Sequence, residues 1–213
     1  MNEFTPWQYE ALGERAVEAL KRNRFEAEYC ATKEEAAKKL LSLIPEGASV
    51  GFGGSWTVKA LGVSETLAKG GHALYDHGVP GLTNEEKLDL RRKQLTCDVF
   101  LSGTNAVTLD GELVNVDGSG NRVAAMIFGP KRVVVVAGAN KIVRDLAEAF
   151  DRIETKAAPL NNKRLGLKNP CTETGTCMDC QSATRICNVT TIIEKKPGGA
   201  DFHVLVVGEE LGF

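Results

Sequence analysis

A run of four valines, Val133 to Val136, constrains the fold of this chain more than any other segment. A short, continuous β-branched run is typical of a strand in the middle of a parallel sheet, where both faces of the strand are buried. Helix-like segments flank the run, and the one that follows it is predicted over 140–153. Shorter strand-like segments precede it at 25–30, 48–52, 72–76 and 99–101. The alternation of strand and helix patterns indicates parallel strands joined by helices.

This alternation predicts an α/β fold in which helices flank a mostly parallel sheet. A capping-box pattern at 32–35 and another at 83–86 mark the starts of two of the helices. Two further strands are predicted at 189–194 and 203–207, and we expect both to return to the main sheet. Residues 155–188 are predicted to be irregular. The cysteine-rich segment 168–188 within them is then an excursion near the C-terminus of a single domain over residues 1–213.

Composition limits the classes of function that are open to the chain. Its 213 residues are 43% hydrophobic, which is enough for one substantial core. The formal net charge is −2, so no general attraction to nucleic acid or to an anionic membrane is expected. No apolar run approaches the roughly 20 residues of a membrane span, and the first residues lack the apolar stretch of a signal peptide. We therefore expect a cytoplasmic protein.

Four of the six cysteines fall within 17 residues, in a C-x5-C-x2-C-x6-C pattern. They are Cys171, Cys177, Cys180 and Cys187. Four thiolates at this spacing can surround one zinc ion or one iron–sulfur cluster. The spacing favours either over two disulfides, free buried thiols or a redox-active C-x2-C pair, because the chain is otherwise cytosolic in character. It does not separate zinc from iron–sulfur. The other two cysteines, Cys30 and Cys97, are expected to be core thiols.

A glycine-rich loop directly follows the predicted strand at 48–52. It contains Gly53, Gly54 and Ser55, and a helix begins after it. Glycines let backbone N–H groups approach an anion, and the N-terminus of the helix adds a favourable field. The motif matches neither a dinucleotide fingerprint nor a P-loop. The two interpretations left are an anion-binding loop and a tight turn without a ligand.

A second polar block, predicted to be rich in turns, covers 102–121 and also follows a strand. Its candidate ligand-binding residues, with the adjoining arginine, are Thr104, Asn105, Asn115, Asp117, Gly118, Ser119, Gly120, Asn121 and Arg122. Asp117 and Glu112 are candidate bases, and Arg122 could bind a carboxylate or phosphate through two hydrogen bonds. The alternative is a hairpin whose acids and amides only stabilise turns, which we favour for Asp110-Gly111. His77 could reach the same edge, although a loop histidine is more often structural.

Several of these segments together resemble the LUD-domain family, the lactate-utilisation proteins of the LutC type. The most specific part runs from GTNAVTLDG to GANKIV, and GFGGS, the four-cysteine run and the ending HVLVVGEELGF add to it. The resemblance covers almost the whole chain. It implies a fold similar to that of ribose-5-phosphate isomerase, glucosamine-phosphate deaminase and the CoA transferases. It also implies that the protein acts together with iron–sulfur oxidoreductase subunits that oxidise lactate or a related hydroxy acid.

The likeness to the isomerases does not include their catalytic acids. Those enzymes carry D-G-A-D-E after the corresponding strand, and Ser102, Asn105 and Ala106 stand where their carboxylates would be. None of these three side chains can act as a general base at pH 7, so phosphosugar isomerisation is not expected. The resemblance implies an accessory or electron-transfer subunit, and the two glycine-rich loops are consistent with a pocket for a small anionic ligand. The alternatives are an enzyme of the CoA-transferase or phosphosugar class and a ligand-sensing or structural subunit.

Overall fold

The computed structural model describes residues 3–213, which form two β-sheets with helices packed around them. The strands, in chain order, are β1 (Glu26–Cys30), β2 (Val50–Phe52), β3 (Leu74–Asp76), β4 (Val99–Gly103), β5 (Ala106–Thr108), β6 (Leu113–Asp117), β7 (Arg132–Gly138), β8 (Ile142–Val143), β9 (Val189–Ile193) and β10 (Asp201–Val207). The helices are α1 (Thr5–Arg22), α2 (Lys33–Ser42), α3 (Trp56–Ala60), α4 (Val63–Lys69), α5 (Asn84–Gln94), α6 (Asn121–Ile127), α7 (Leu146–Arg152), α8 (Ala158–Arg164) and α9 (Cys171–Thr174). None of the helices within residues 3–213 has the length and apolar character of a membrane span.

The larger sheet has the strand order β1-β10-β7-β4-β2-β3, and every neighbouring pair is parallel. This confirms the prediction of a mostly parallel sheet flanked by helices. The valine run lies in β7, in the interior of the sheet. Val133 and Val135 pack in a core with α1 and α6, whereas Val134 and Val136 pack in a core with α2, α3 and α4. Both faces are therefore covered, as a continuous apolar run requires.

The turn-rich block 102–121 contributes to a second, smaller sheet, with the order β8-β5-β6-β9. β5 and β6 form an antiparallel hairpin around Asp110-Gly111, which confirms the turn predicted there. Gly111 has φ of +83°, and a Cβ on it would lie 2.5 Å from the carbonyl carbon of Ala19 in α1. Glycine is needed here because the turn has positive φ and lies directly against a helix.

The prediction that segment 189–194 returns to the main sheet is wrong. β9 pairs antiparallel with β6 in the smaller sheet, with Val189 opposite Asp117 and Ile193 opposite Leu113. Ile193 is the one buried residue of β9, so this strand lacks the buried apolar side chains on both faces that the interior of the parallel sheet requires. β10 does enter the main sheet, between β1 and β7.

The helix predicted over 140–153 begins only at Leu146. A 3₁₀ turn, Ala139–Lys141, follows β7, and the next two residues form β8. As a result, Lys141 lies just beyond the carboxyl end of a central strand.

The region 155–188 was predicted to be irregular but contains helices. A π-helical turn, Ile153–Ala157, joins α7 to α8 without a break, and α9 follows. Such turns occur often at functional sites.

Candidate functional site

A cleft of about 570 Å³ opens at the carboxyl edge of the main sheet. The segments that follow β7, β4, β2 and β3, four consecutive strands of the sheet, all contribute to its wall. Lys141, Thr104, Gly53 and His77 come from these segments in turn. Ligands of open α/β sheets usually bind at this edge, where loops from neighbouring parallel strands converge.

Most of the candidate ligand-binding residues lie on this cleft. The ten that line it are Gly53, Gly54, Ser55, Thr104, Asn105, Asp117, Gly118, Ser119, Asn121 and Arg122. The loops after β2 and β6 are adjacent, because a Cβ on Gly53 would lie 3.2 Å from Cγ of Arg122. Asn115 is fully buried behind the wall, and Gly120 precedes α6 without lining the cleft. Ligand binding by these residues remains a prediction.

Arg122 is directed into the protein and organises the cleft wall. Each of its five N–H groups has an acceptor within hydrogen-bond distance. The acceptors are the side chains of Asp117, Asn115 and Asn105 and the main-chain carbonyls of Gly103 and Val116. The guanidinium therefore ties β4 to β6 and α6. Because the N–H groups of Arg122 already have acceptors within the protein, few remain for the binding of a ligand through two hydrogen bonds that the sequence predicts.

The two candidate bases have different surroundings. Oδ1 of Asp117 contacts Nε and Nη2 of Arg122 at 2.8 and 2.6 Å, and Oδ2 accepts a hydrogen bond from the backbone N–H of Val123 at 3.1 Å. Asp117 is thus an ion-paired carboxylate at the end of β6, and it also accepts a hydrogen bond from the first turn of α6. Glu112 lies in the β5–β6 hairpin, where its carboxylate accepts a hydrogen bond from Thr108 at 2.9 Å, and it does not line the cleft.

Lys141 also lines the cleft, and its side chain is almost completely buried, with 4% exposure. Its Nζ donates hydrogen bonds to Oγ1 of Thr57 at 2.7 Å and to the carbonyl oxygen of Thr104 at 3.1 Å. Burial, followed by repulsion from Arg152 and Arg122, lowers the pKa of Lys141 to about 7. A strongly perturbed pKa in a cleft marks a residue as a candidate for function.

Positive charge dominates the cleft wall. Its cationic residues are Lys87, Arg91, Arg122, Lys141 and Arg164. Asp117 is the one acidic side chain on the wall within residues 3–213, and it is already paired. Burial lowers the pKa of His77, so this histidine is neutral at pH 7. The Nε of Arg91 is buried and has no hydrogen-bond partner in the described part of the chain. An excess of positive charge in a concave site attracts an anionic ligand.

An aromatic group forms part of the rim of the cleft. The Trp56 ring stacks on Phe213 with a centroid distance of 5.9 Å and an angle of 27°. The Arg164 guanidinium lies 5.7 Å from the centroid of the same ring. Cation–π contact and stacking hold Arg164 and the C-terminal residue at the rim.

The four clustered cysteines line one small cavity of about 20 Å³, which is room for a single water-sized particle. All four are free thiols. Burial raises the pKa of Cys187 to about 11, and the neighbouring thiols contribute to this shift. Within residues 3–213, however, no group of three or more histidine, cysteine, aspartate or glutamate side chains is arranged so that it could hold a metal ion. Metal binding by the cysteines therefore remains a prediction.

The donor type suits a zinc ion or an iron–sulfur cluster, but the four side chains of the described chain are not arranged around a metal position. Thiolates are the preferred ligands of both, and here four thiols share one cavity. Arg185 holds the segment together by donating hydrogen bonds to the carbonyl oxygens of Cys180 and Cys187. The other two cysteines, Cys30 and Cys97, are not part of this cavity and are buried in the core, as predicted.

The cysteine cavity adjoins the cleft. Ile186 lines both cavities, and α8 contributes to both as well. Asn188 fixes this boundary, since its backbone N–H donates to the carbonyl oxygen of Asp117 and its side chain donates to that of Gly118. A change in the cysteine segment would therefore reach the cleft wall directly.

Sequence reasoning identified Arg122 but missed the other four basic residues of the cleft. Arg91 lies in the last turns of α5, and Arg164 ends α8, so each resembles an ordinary surface charge at the end of a helix. Lys141 was assigned to a helix that starts five residues later. The one usable signal for Lys141 was its place shortly after the valine strand, at the edge where the two predicted loops also end.

Comparison with known proteins identifies the family. A model of the LUD domain matches residues 13–207. The crystal structure of a DUF162 family protein from Deinococcus radiodurans is 12% identical, with a TM-score of 0.56 over 93% of this chain and 98% of that chain, which shows a shared fold. Ribose 5-phosphate isomerase A from Methanocaldococcus jannaschii is 16% identical over 63% of this chain and 66% of that one, with a TM-score of 0.35. No curated protein matches. Because the family model spans nearly all of the chain, this protein belongs to the LUD domain family.

Proposed function

We propose that this protein is an accessory or electron-transfer subunit of an iron–sulfur system that oxidises lactate or a related hydroxy acid in the cytoplasm. Its partners would be iron–sulfur oxidoreductase subunits. The observation that carries the proposal is the contact between a basic cleft and a cavity lined by four cysteines, with Ile186 in both walls. An anionic ligand and a redox-active or structural metal site would then lie side by side. Membership of a family associated with lactate utilisation supports this role.

The four cysteines would hold an iron–sulfur cluster or a zinc ion. A cluster would serve electron transfer, whereas zinc would fix the cysteine segment against the cleft as a structural element.

An enzyme of the CoA-transferase or phosphosugar class has less support. Glu112 is outside the cleft, and the carboxylate of Asp117 is paired with Arg122, so neither is a free general base.

We expect anaerobically purified protein to contain iron and sulfide, or zinc, bound by the four cysteines. Metal analysis together with the visible absorption spectrum distinguishes the two. The double variant Cys177→Ser/Cys180→Ser should lose most of the bound metal because thiolate ligands are removed. Cys30→Ala is the matched control and should retain it, since Cys30 is a core residue in β1. Unchanged metal content in the double variant, or metal-free wild-type protein, would contradict the assignment.

We expect the cleft to bind small carboxylates, with lactate, pyruvate and oxalate as the probes in titration calorimetry. Arg91→Met and Arg164→Met should each raise the Kd by about 10–100-fold, because each removes a charged hydrogen-bond donor from the cleft. Lys195→Met, an exposed change outside the cleft, should leave the Kd unchanged. Equal affinity in all four proteins would place the ligand elsewhere.

A further inference from the structure

The ammonium group of Lys141 is buried without a counter-charge. Its two hydrogen-bond acceptors, the Thr57 hydroxyl and the Thr104 carbonyl, are both neutral. No carboxylate in residues 3–213 forms an ion pair with it; the cleft carboxylate, Asp117, pairs with Arg122 instead. Buried charges in proteins are normally paired. The cleft that the Lys141 side chain lines is the place from which such a partner can reach it.

The positive charges around Lys141 make its unpaired ammonium group still less favourable. Arg152 of α7 and Arg122 of α6 both disfavour the protonated amine, and burial disfavours it most. Neither arginine can turn away, because Arg152 donates to the carbonyl oxygens of Asn140 and Asn105, and Arg122 is fully engaged. The result is a pKa of about 7 for Lys141, so a substantial fraction of the amine is neutral at physiological pH.

The nitrogen has one remaining position for a ligand. Two of its bonds to hydrogen are directed at Thr57 and Thr104. A protonated amine has a third N–H, whereas the neutral amine has a lone pair in its place. An oxyanion in the cleft can accept the third N–H of the charged form and is repelled by the lone pair of the neutral form.

We propose that Lys141 is a proton-linked anion-binding residue, which takes up a proton when a small oxyanion enters the cleft and pairs with Nζ. This inference rests on the proposed anion-binding cleft and specifies its ligand as a small carboxylate or similar oxyanion. Because binding requires the protonated amine, affinity should fall about tenfold for each pH unit above the pKa of the free protein.

The other charged side chains on the cleft come from three helices and one strand. Lys87 and Arg91 belong to α5 and Arg164 to α8. Asp117, at the end of β6, is paired with Arg122 of α6. His77, from the loop after β3, is the one group that could take up a proton in the same way, so the test includes a His77→Gln variant.

The test is titration calorimetry with oxalate, which is doubly ionised throughout the range of measurement. At pH 8, the heat of binding should depend on the ionisation enthalpy of the buffer, corresponding to uptake of nearly one proton per oxalate. Lys141→Met should abolish the proton uptake and raise the Kd at pH 7 by at least about tenfold. His77→Gln and Arg164→Met should keep the proton uptake, although Arg164→Met weakens binding. Circular dichroism checks that each variant is folded.

The outcomes separate this inference from the function on which it rests. Oxalate binding without proton uptake by the wild-type protein would overturn the role of Lys141 and leave the anion-binding cleft standing. Proton uptake that persists in Lys141→Met would do the same. If neither oxalate, lactate nor sulfate binds, both proposals fail.

Discussion

Replacement of Arg122 by methionine is expected to lower the free energy of unfolding by about 3–5 kcal/mol, because it leaves the buried Asp117 carboxylate unpaired. The change also removes donors from Asn115, Asn105 and the carbonyl oxygen of Gly103. Since these groups belong to β4, β6 and the loop between β4 and β5, the two sheets lose their polar connection beneath the cleft. Urea denaturation followed by circular dichroism measures the effect.

A second substitution tests the cause. In the Arg122→Met background, Asp117→Asn removes the unpaired charge and should restore part of the lost stability. The control is Arg92→Met, because Arg92 is exposed and forms one ion pair with Asp89; we expect a change of less than about 1 kcal/mol. Similar losses for Arg122→Met and Arg92→Met would refute the view that Arg122 organises the cleft.

Replacement of Lys141 by methionine is expected to make the protein more stable at pH 7, by about 2–4 kcal/mol. In the folded state the pKa of Lys141 is lowered from 10.5 to about 7, so between these values the unfolded chain binds more protons than the folded protein. The stability of the wild type should therefore rise with pH across this window and be lowest below pH 7. Lost hydrogen bonds to Thr57 and Thr104 offset part of the gain.

The measurement is the unfolding free energy of both proteins from pH 6 to pH 10. The difference between them should be largest near pH 6 and should shrink as the pH approaches 10. Lys195→Met serves as the control, because an exposed lysine gives no such difference. A variant that is less stable than the wild type at pH 6 would show that the buried amine is not a cost to folding. If Lys141→Met is more stable and also binds oxalate more weakly, the buried charge of Lys141 lowers stability but is needed for ligand binding.

The secondary structure was largely readable from the chain, because its signals are local. The valine run gave a central strand, the capping pattern at Thr83 and Glu86 is present at the start of α5, and the Asp110-Gly111 turn closes a hairpin. Strand identity is encoded by residues a few positions apart, but sheet membership is not. The residue pattern of β9 predicts a strand but does not say to which sheet it belongs. Its exposed, partly polar side chains do not suit the interior of the parallel sheet.

The sequence alone determined that two glycine-rich polar loops follow parallel strands and that four cysteines are close along the chain, and those facts placed both candidate sites. Tertiary structure decided what the side chains do. It turned Arg122 inward to Asp117, moved Glu112 out of the cleft, and brought Arg164 to its rim. It also buried Lys141 near Arg152 and Arg122. Charge and pKa depend on desolvation and on neighbours in space, which a local pattern does not contain.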